Sequence, residues 1–500
     1  MLAMSCTNGP PKCPVEGGAQ WRELESDHFR LVTDLDAHVA ESELHRFERS
    51  YDAMMQAAFP RGATGRMRLV VFRTNDELRA FAPNAAAGLF VDGWAMEDDE
   101  TGTALFGSGL REESRAVFQH ELAHRFLAAG FAEVPPWFSE GLAVYFETMR
   151  VEGDRVILGD WARPNTPLPS SIRRLTVLDR DGFYLGADRR DVSDEDASRV
   201  GLRYVASWHL VHLLRNGPDS IRNEFRRVVR TVNDGGAFEP AFDAFVQEVG
   251  AQELDRAFIA HSQDTERLSS VFAYTPTPLR ARPKARDLSP EETHLLFAKL
   301  LIRGQAPHQA LPEVDEALRH APRSLNARLA RAHVQLVRGD VQGARNAFAA
   351  IVAEAPANGA ALAGMLHALL ETQEAAPTGP DAERLRDLAT RLSSVASTAD
   401  EHSMAIVGLA TTGDFERALL ASEAAVRAHP TSFRLLAARA KLLAHEGRYR
   451  DATVAMRRAL EVMPERRARG PEGRDLARRL ADYRARAEQA EQAERAEPAH

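Results

Sequence analysis

The chain has 500 residues, 44% hydrophobic and 27% charged, which supplies apolar material for two or three domains. With 63 Lys and Arg against 72 Asp and Glu the net charge is -9; a mildly acidic surface argues against general phosphate-backbone binding, which needs a clustered positive field, so no nucleic-acid partner is expected. Cys6 and Cys13 are the two cysteines, so neither a disulfide framework nor a Cys-rich zinc module can organise the cores, and a metal must be held by His and carboxylates.

Residues 1–20, rich in Pro and Gly and without period, read as a flexible tail. No run of 18 apolar residues occurs, so no bilayer-spanning helix is expected. Leu2-Ala3-Met4-Ser5-Cys6 resembles the end of a bacterial lipoprotein signal, with Met4 where that pattern has a small residue. The resemblance implies a true start upstream of Met1, lipid on Cys6 as the sole membrane anchor, and an exported or envelope location rather than a cytoplasmic one.

Order is expected from Trp21. His28–Thr33 alternates with strand period, Met67–Phe72 reads as a better buried strand, and residues from about 37 to 58 carry apolar side chains at helical spacing. Gly88–Ala95 and Thr103–Phe106 flank an acidic turn at Glu97–Thr101, which predicts a hairpin. From about 112 the pattern turns helical. A Pro-rich, basic stretch at 271–290 then reads as a linker closing a first domain of residues 21–270.

Beyond it the chain repeats. Ala310, Ala344, Ala418 and Ala452 each stand twelve residues before Pro322, Pro356, Pro430 and Pro464, and the prolines are 34 apart within each pair. A small residue where helices cross and a Pro that closes the second helix, at this period, resemble the tetratricopeptide repeat. The 74 residues from Pro356 to Pro430 leave room for a degenerate repeat with an insertion near Glu374–Pro380. About five helical hairpins are expected over 291–480, their concave face binding another polypeptide, followed by a low-complexity tail at 481–500. Their histidines read as having no partner at ligand spacing. The basic run Arg466–Arg486 reads as a solvated helix face.

The helix expected at 112–130 holds His120-Glu121-Leu122-Ala123-His124. Two His at i and i+4 share a helical face and reach one ion, and the intervening Glu can address a water on it. A catalytic zinc needs a third protein donor and an open position. Glu140 follows His124 by 16 residues, and a turn through Gly130 and Pro135-Pro136 allows an antiparallel helix to bring it back.

The His-Glu-x-x-His helix followed by Trp137-Phe138-Ser139-Glu140-Gly141 resembles the gluzincin zinc metallopeptidases, above all bacterial peptidase MA-like domains, which also open with a Trp and a His-Phe strand like Trp21 and His28-Phe29. The likeness spans about residues 21–265. It implies an α+β zincin-like domain ahead of the all-α tetratricopeptide-type solenoid, one Zn²⁺ held by His120, His124 and Glu140, Glu121 as general base, a polypeptide substrate, and Tyr204 as the oxyanion donor.

In some gluzincins an Asp four residues after the Glu ligand supports the first His; Val144 occupies that place, leaving Glu147, two turns from Glu140, as a candidate. His209 and His212 lack a carboxylate at ligand spacing and read as packing or surface residues. Ala95-Met96-Glu97-Asp98 is similar to the amine-binding Met-Glu-Asn motif of zinc aminopeptidases but lacks the Asn, so the hairpin reading prevails. The rival reading is a non-catalytic adaptor whose repeats bind a partner and whose zincin domain is a relic.

Overall fold

The computed structural model describes residues 11–59, 62, 65–82, 88–91, 103–107, 112–130, 134–160, 169–178, 183, 194–264, 269–303, 306–372, 378–463 and 471–496. Cys6 and the turn at 97–101, with Met96, lie outside them. Arg22–Glu25 (β1), Phe29–Thr33 (β2), Met67–Phe72 (β3), Gly88–Val91 (β4) and Thr103–Gly107 (β5) belong to one sheet, and Arg150–Glu152 (β6), Arg155–Leu158 (β7) and Ser270–Ala273 (β8) to a small antiparallel one. Lys284–Asp287 (β9) returns to the first sheet, whose order is β4-β5-β3-β2-β1-β9. Its centre, β2-β3-β5, is parallel, and β4, β1 and β9 are added antiparallel.

Side chains alternate across this sheet, so each strand feeds two cores. Phe29, Leu31, Leu69, Val71 and Phe106 join the larger core, together with Leu44 and Phe47 of the helix Ala37–Ala57 (α1). Val32, Val70, Phe72 and Leu105 face the other way, onto Leu78 and Phe81 of Asn75–Phe81 (α2) and onto the first helices of the repeats, Pro290–Arg303 and Pro307–His320. Trp21 links the two, its ring 5.7 Å edge-on from Phe72 and 5.6 Å from Phe297.

The stretch expected as a linker at 271–290 therefore carries β8 in part and all of β9, and the repeats share a core with the sheet. Every residue of β9 is exposed, so this edge strand has no apolar alternation by which the sequence could announce it. The tail expected at 1–20 is likewise docked from residue 11: Cys13 is buried, and the Gln20 amide donates to the Leu288 carbonyl.

The repeats form five antiparallel helix pairs among the described residues, Pro290–Arg303 with Pro307–His320 through to Phe433–His445 with Tyr449–Val462. Ala310, Ala344, Ala418 and Ala452 are fully buried at the crossings that their period marked. Gly339, Gly413 and Gly447 take φ of 85°, 78° and 74° just past a first helix, where a left-handed residue ends it. The closing helix Pro471–Ala496 runs through most of the expected tail; Leu476 and Tyr483 are buried, while Arg479 and Arg486 pair with Asp475 and Asp482. No helix among the described residues is long and apolar enough to cross a membrane.

Candidate metal centre

Glu112–Gly130 (α3) buries Phe118, Leu122, Ala123, Phe126 and Leu127, with the Phe118 ring 4.8 Å from that of Phe47. This stripe leaves His120, Glu121 and His124 along one edge of the helix. Pro136–Glu147 (α4) starts with Pro at its first position, where the missing N–H costs nothing. It packs against α3 and against the helix Asp194–Asn216. The crossing with the latter requires Gly141: a Cβ there would lie 2.5 Å from the Ser207 carbonyl oxygen. Glu140, one residue earlier, is thereby held against α3 and is 1% exposed.

The donors converge. His120 Nε2 and His124 Nε2 are 3.0 Å apart, and Glu140 Oε2 is 3.6 Å from each. Donors bound tetrahedrally to zinc at about 2.0–2.2 Å stand about 3.3 Å from one another, so this triangle fits such an ion. On the far side of the rings, His120 Nδ1 is 2.7 Å from Glu147 Oε1 and His124 Nδ1 is 3.0 Å from Ser139 Oγ. These partners accept the Nδ1 protons and turn the Nε2 lone pairs toward the centre.

The electrostatics favour a cation there. Burial opposes charge on His120, but Glu140, Glu147 and Glu121 overcome it and hold the ring's pKa well above the usual value. Burial likewise opposes the Glu140 carboxylate, but His124 and His120 outweigh it and keep its pKa well below the ordinary range. Glu121 is half-buried and has no hydrogen-bond or ion-pair partner among the described residues.

The structure thus unites His120, His124 and Glu140, with Glu121 adjacent, and gives Glu147 the supporting contact for which it was the candidate. Ser139 escaped the sequence reading, although its place beside Glu140 on the returning helix is the available signal. Tyr204 is half-buried and edge-on to Phe183, with centroids 5.8 Å apart. His209 and His212 are both buried; His212 meets His261 Nε2 at 2.7 Å and the Asn216 amide at 3.1 Å, as a packed core histidine does.

No protein-family model matches the sequence, and no curated protein matches it. Solved structures similar to the chain include a thermophilic TPR protein from Thermus thermophilus, 22% identical, covering 39% of this chain and 98% of that one with a TM-score of 0.33. Pseudomonas aeruginosa PilF is 16% identical over 42% of this chain and 93% of its own, with a TM-score of 0.31. YrrB, described as a TPR protein with an unusual peptide-binding site, is 17% identical over 34% of this chain and 85% of its own, with a TM-score of 0.25.

Proposed function

We propose that the chain is a zinc-dependent peptidase of gluzincin type whose helical repeats hold a polypeptide substrate or partner. The observation that carries this reading is the closure of His120, His124 and Glu140 to separations of 3.0–3.6 Å beside Glu121. Two imidazoles and one carboxylate suit zinc better than magnesium or calcium, which prefer oxygen shells. When bound, zinc supplies a Lewis acid that polarises a carbonyl and makes water nucleophilic near neutral pH.

The chain's own groups do the rest. Glu121 accepts the proton of the attacking water and returns it to the leaving amine. Glu147 and Ser139 keep both imidazoles aimed, and Tyr204 is assigned the hydrogen bond to the developing oxyanion. A cleft of about 410 Å³ between the sheet and the first helix pairs is lined by Val32, Leu288, Leu295 and Leu296 beside the ion pairs of Arg30 and Arg286 with Glu23, a mixed apolar and polar lining that a polypeptide segment could occupy.

The test is metal analysis of the purified protein joined to a peptide-library cleavage assay with and without chelator. Cleavage that chelator abolishes and zinc restores, together with loss of one zinc equivalent in His120→Ala or Glu140→Ala, is expected. A protein that binds zinc at this cluster and cuts no peptide would instead favour the adaptor reading.

A further inference from the structure

A second trio of metal-ligating side chains converges among the described residues, away from α3 and α4. His294 stands on Pro290–Arg303, and Glu316 and His320 stand on Pro307–His320, with one donor atom of each within 4.8 Å of the others. The expectation that no histidine of the repeats has a partner at ligand spacing is corrected here. Glu316 and His320 are one turn apart, and the third donor comes from the preceding helix, which spacing along a single helix cannot reveal.

His294 is the fixed corner of this cluster. Its side chain is 1% exposed, and its Nδ1 lies 2.8 Å from Glu313 Oε2. The carboxylate accepts the Nδ1 proton, which makes Nε2 the lone-pair nitrogen. That Nε2 is buried without a hydrogen-bond partner, a condition that buried acceptors rarely keep unless an ion or a water completes them. His320 is exposed and lies parallel to His294, with centroids 5.7 Å apart and the planes inclined by 13°. Glu316 is paired with Arg319, itself largely exposed, so turning to a metal would cost it only a surface ion pair. An imidazole backed by a carboxylate, a second imidazole and a carboxylate together make a zinc-type donor set.

We infer that His294, Glu316 and His320 bind a second divalent transition-metal ion, zinc foremost, with Glu313 orienting His294. The ion joins the two helices that cover the sheet. His294 lies one turn before Phe297, the ring that meets Trp21, and its own ring is 6.4 Å from that of Phe297. Metal here therefore tightens the seam between repeats and sheet, and this role is independent of hydrolysis at α3 and α4.

The full chain, stripped of metal, is titrated with Zn²⁺ by calorimetry and elemental analysis. Two equivalents are expected for the wild type, one for His120→Ala, one for His320→Ala, and none for the double variant. His320 is exposed, so its replacement leaves the core packed; Glu316→Gln serves as the second probe and should weaken the same equivalent at least tenfold. Glu313→Gln should weaken it about 10- to 100-fold, the usual effect of removing a group that orients a ligating imidazole. In the His120→Ala background zinc should raise the melting temperature, and adding His320→Ala should abolish that rise. A wild type whose zinc is lost entirely in His120→Ala, or a second equivalent that persists unchanged in both His320→Ala and Glu316→Gln, overturns the site.

Discussion

The two His, His and Glu clusters share a donor set and differ in readiness. Around His120 the donors stand 3.0–3.6 Å apart, the carboxylate is buried, and both imidazoles are backed by Glu147 or Ser139. In the first helix pair the donors lie within 4.8 Å, Glu316 has Arg319 as an alternative partner, and only His294 has a side chain shown behind it. A buried carboxylate between two helices has nowhere else to turn, whereas one at the surface always has water and a neighbouring cation. The first arrangement suits chemistry, which needs groups held in advance, and the second suits a staple that forms when metal arrives. His333 extends the series: half-buried and edge-on to Phe348 at 5.0 Å, it is driven down to a pKa of about 4 by burial and then by His367, with Asp400 opposing them through space. Carboxylates in hydrogen-bond contact outweigh burial at His120, whereas one acting only through space does not at His333.

Separating the two regions should have the largest effect. A chain ending at residue 275 loses β9 and strips the repeat helices from Trp21, Val32, Val70, Phe72 and Leu105, leaving Leu78 and Phe81 of α2 as partial cover. With full exposure worth about 1.5–3 kcal/mol per side chain, even partial uncovering of the five costs on the order of 5 kcal/mol, a large part of the stability of a domain. Such a chain is expected to show no cooperative melt by circular dichroism, while one ending near residue 338, which keeps that core, should melt cooperatively. Equal behaviour of the two would show that the sheet does not depend on the repeats.

Next in size is Glu121→Gln, expected to lower peptide hydrolysis about 10²- to 10⁴-fold while leaving the zinc content unchanged. Glu316→Gln at the other cluster should leave hydrolysis intact. A Glu121→Gln protein with full activity on a peptide cut by the wild type would remove Glu121 from the mechanism.

The first cluster is legible in the sequence because its information is local. Five residues of α3, His120 to His124, and one helix beyond a Pro-Pro turn contain every donor, and the apolar stripe of Phe118, Leu122 and Phe126 shows which edge is free. The 34-residue period likewise exposes the crossings at Ala310, Ala344, Ala418 and Ala452. What stays hidden is non-local or lacks pattern. β1, Arg-Glu-Leu-Glu, and β9, Lys-Ala-Arg-Asp, have almost no apolar content; β1 is defined by its pairing with β2, and β9 only by pairing with β1 across more than 250 residues. The second cluster needs two helices packed in register before its donors meet. Ser139 sits at the one variable place in the Trp-Phe-x-Glu-Gly pattern, where a hydroxyl carries no signal of its own.

His333 tests the claim about carboxylates through pH. Its folded pKa of about 4 lies below the unfolded value of 6.5, so it contributes stability above pH 6.5 that is lost as pH falls through 4. The shift sets an upper limit of about 3 kcal/mol, which partial exposure of the ring reduces. Urea denaturation at pH 7 and pH 4 should show a smaller acid-induced loss for His333→Gln than for the wild type. An equal loss would mean that the ring accepts its proton without difficulty.

Smaller still are the effects of the groups behind the two zinc-binding imidazoles, and these effects should be unequal. Glu147 accepts from His120 as a carboxylate, and a hydrogen bond to an ionised acceptor is roughly twice as strong as a neutral one. Glu147→Gln should therefore weaken zinc about 10- to 100-fold in competition with a chelator, the usual range for such partners. Ser139 offers His124 only a hydroxyl, at 3.0 Å. Its removal leaves the His124 ring still confined between α3 and α4 and takes away no charge that the ion would feel. Ser139→Ala is accordingly expected to weaken zinc by only about threefold to tenfold. If the two losses prove equal, ring orientation alone explains both contacts. A larger loss for Glu147→Gln means that carboxylate charge adds to orientation, the same distinction that separates His120 from His333.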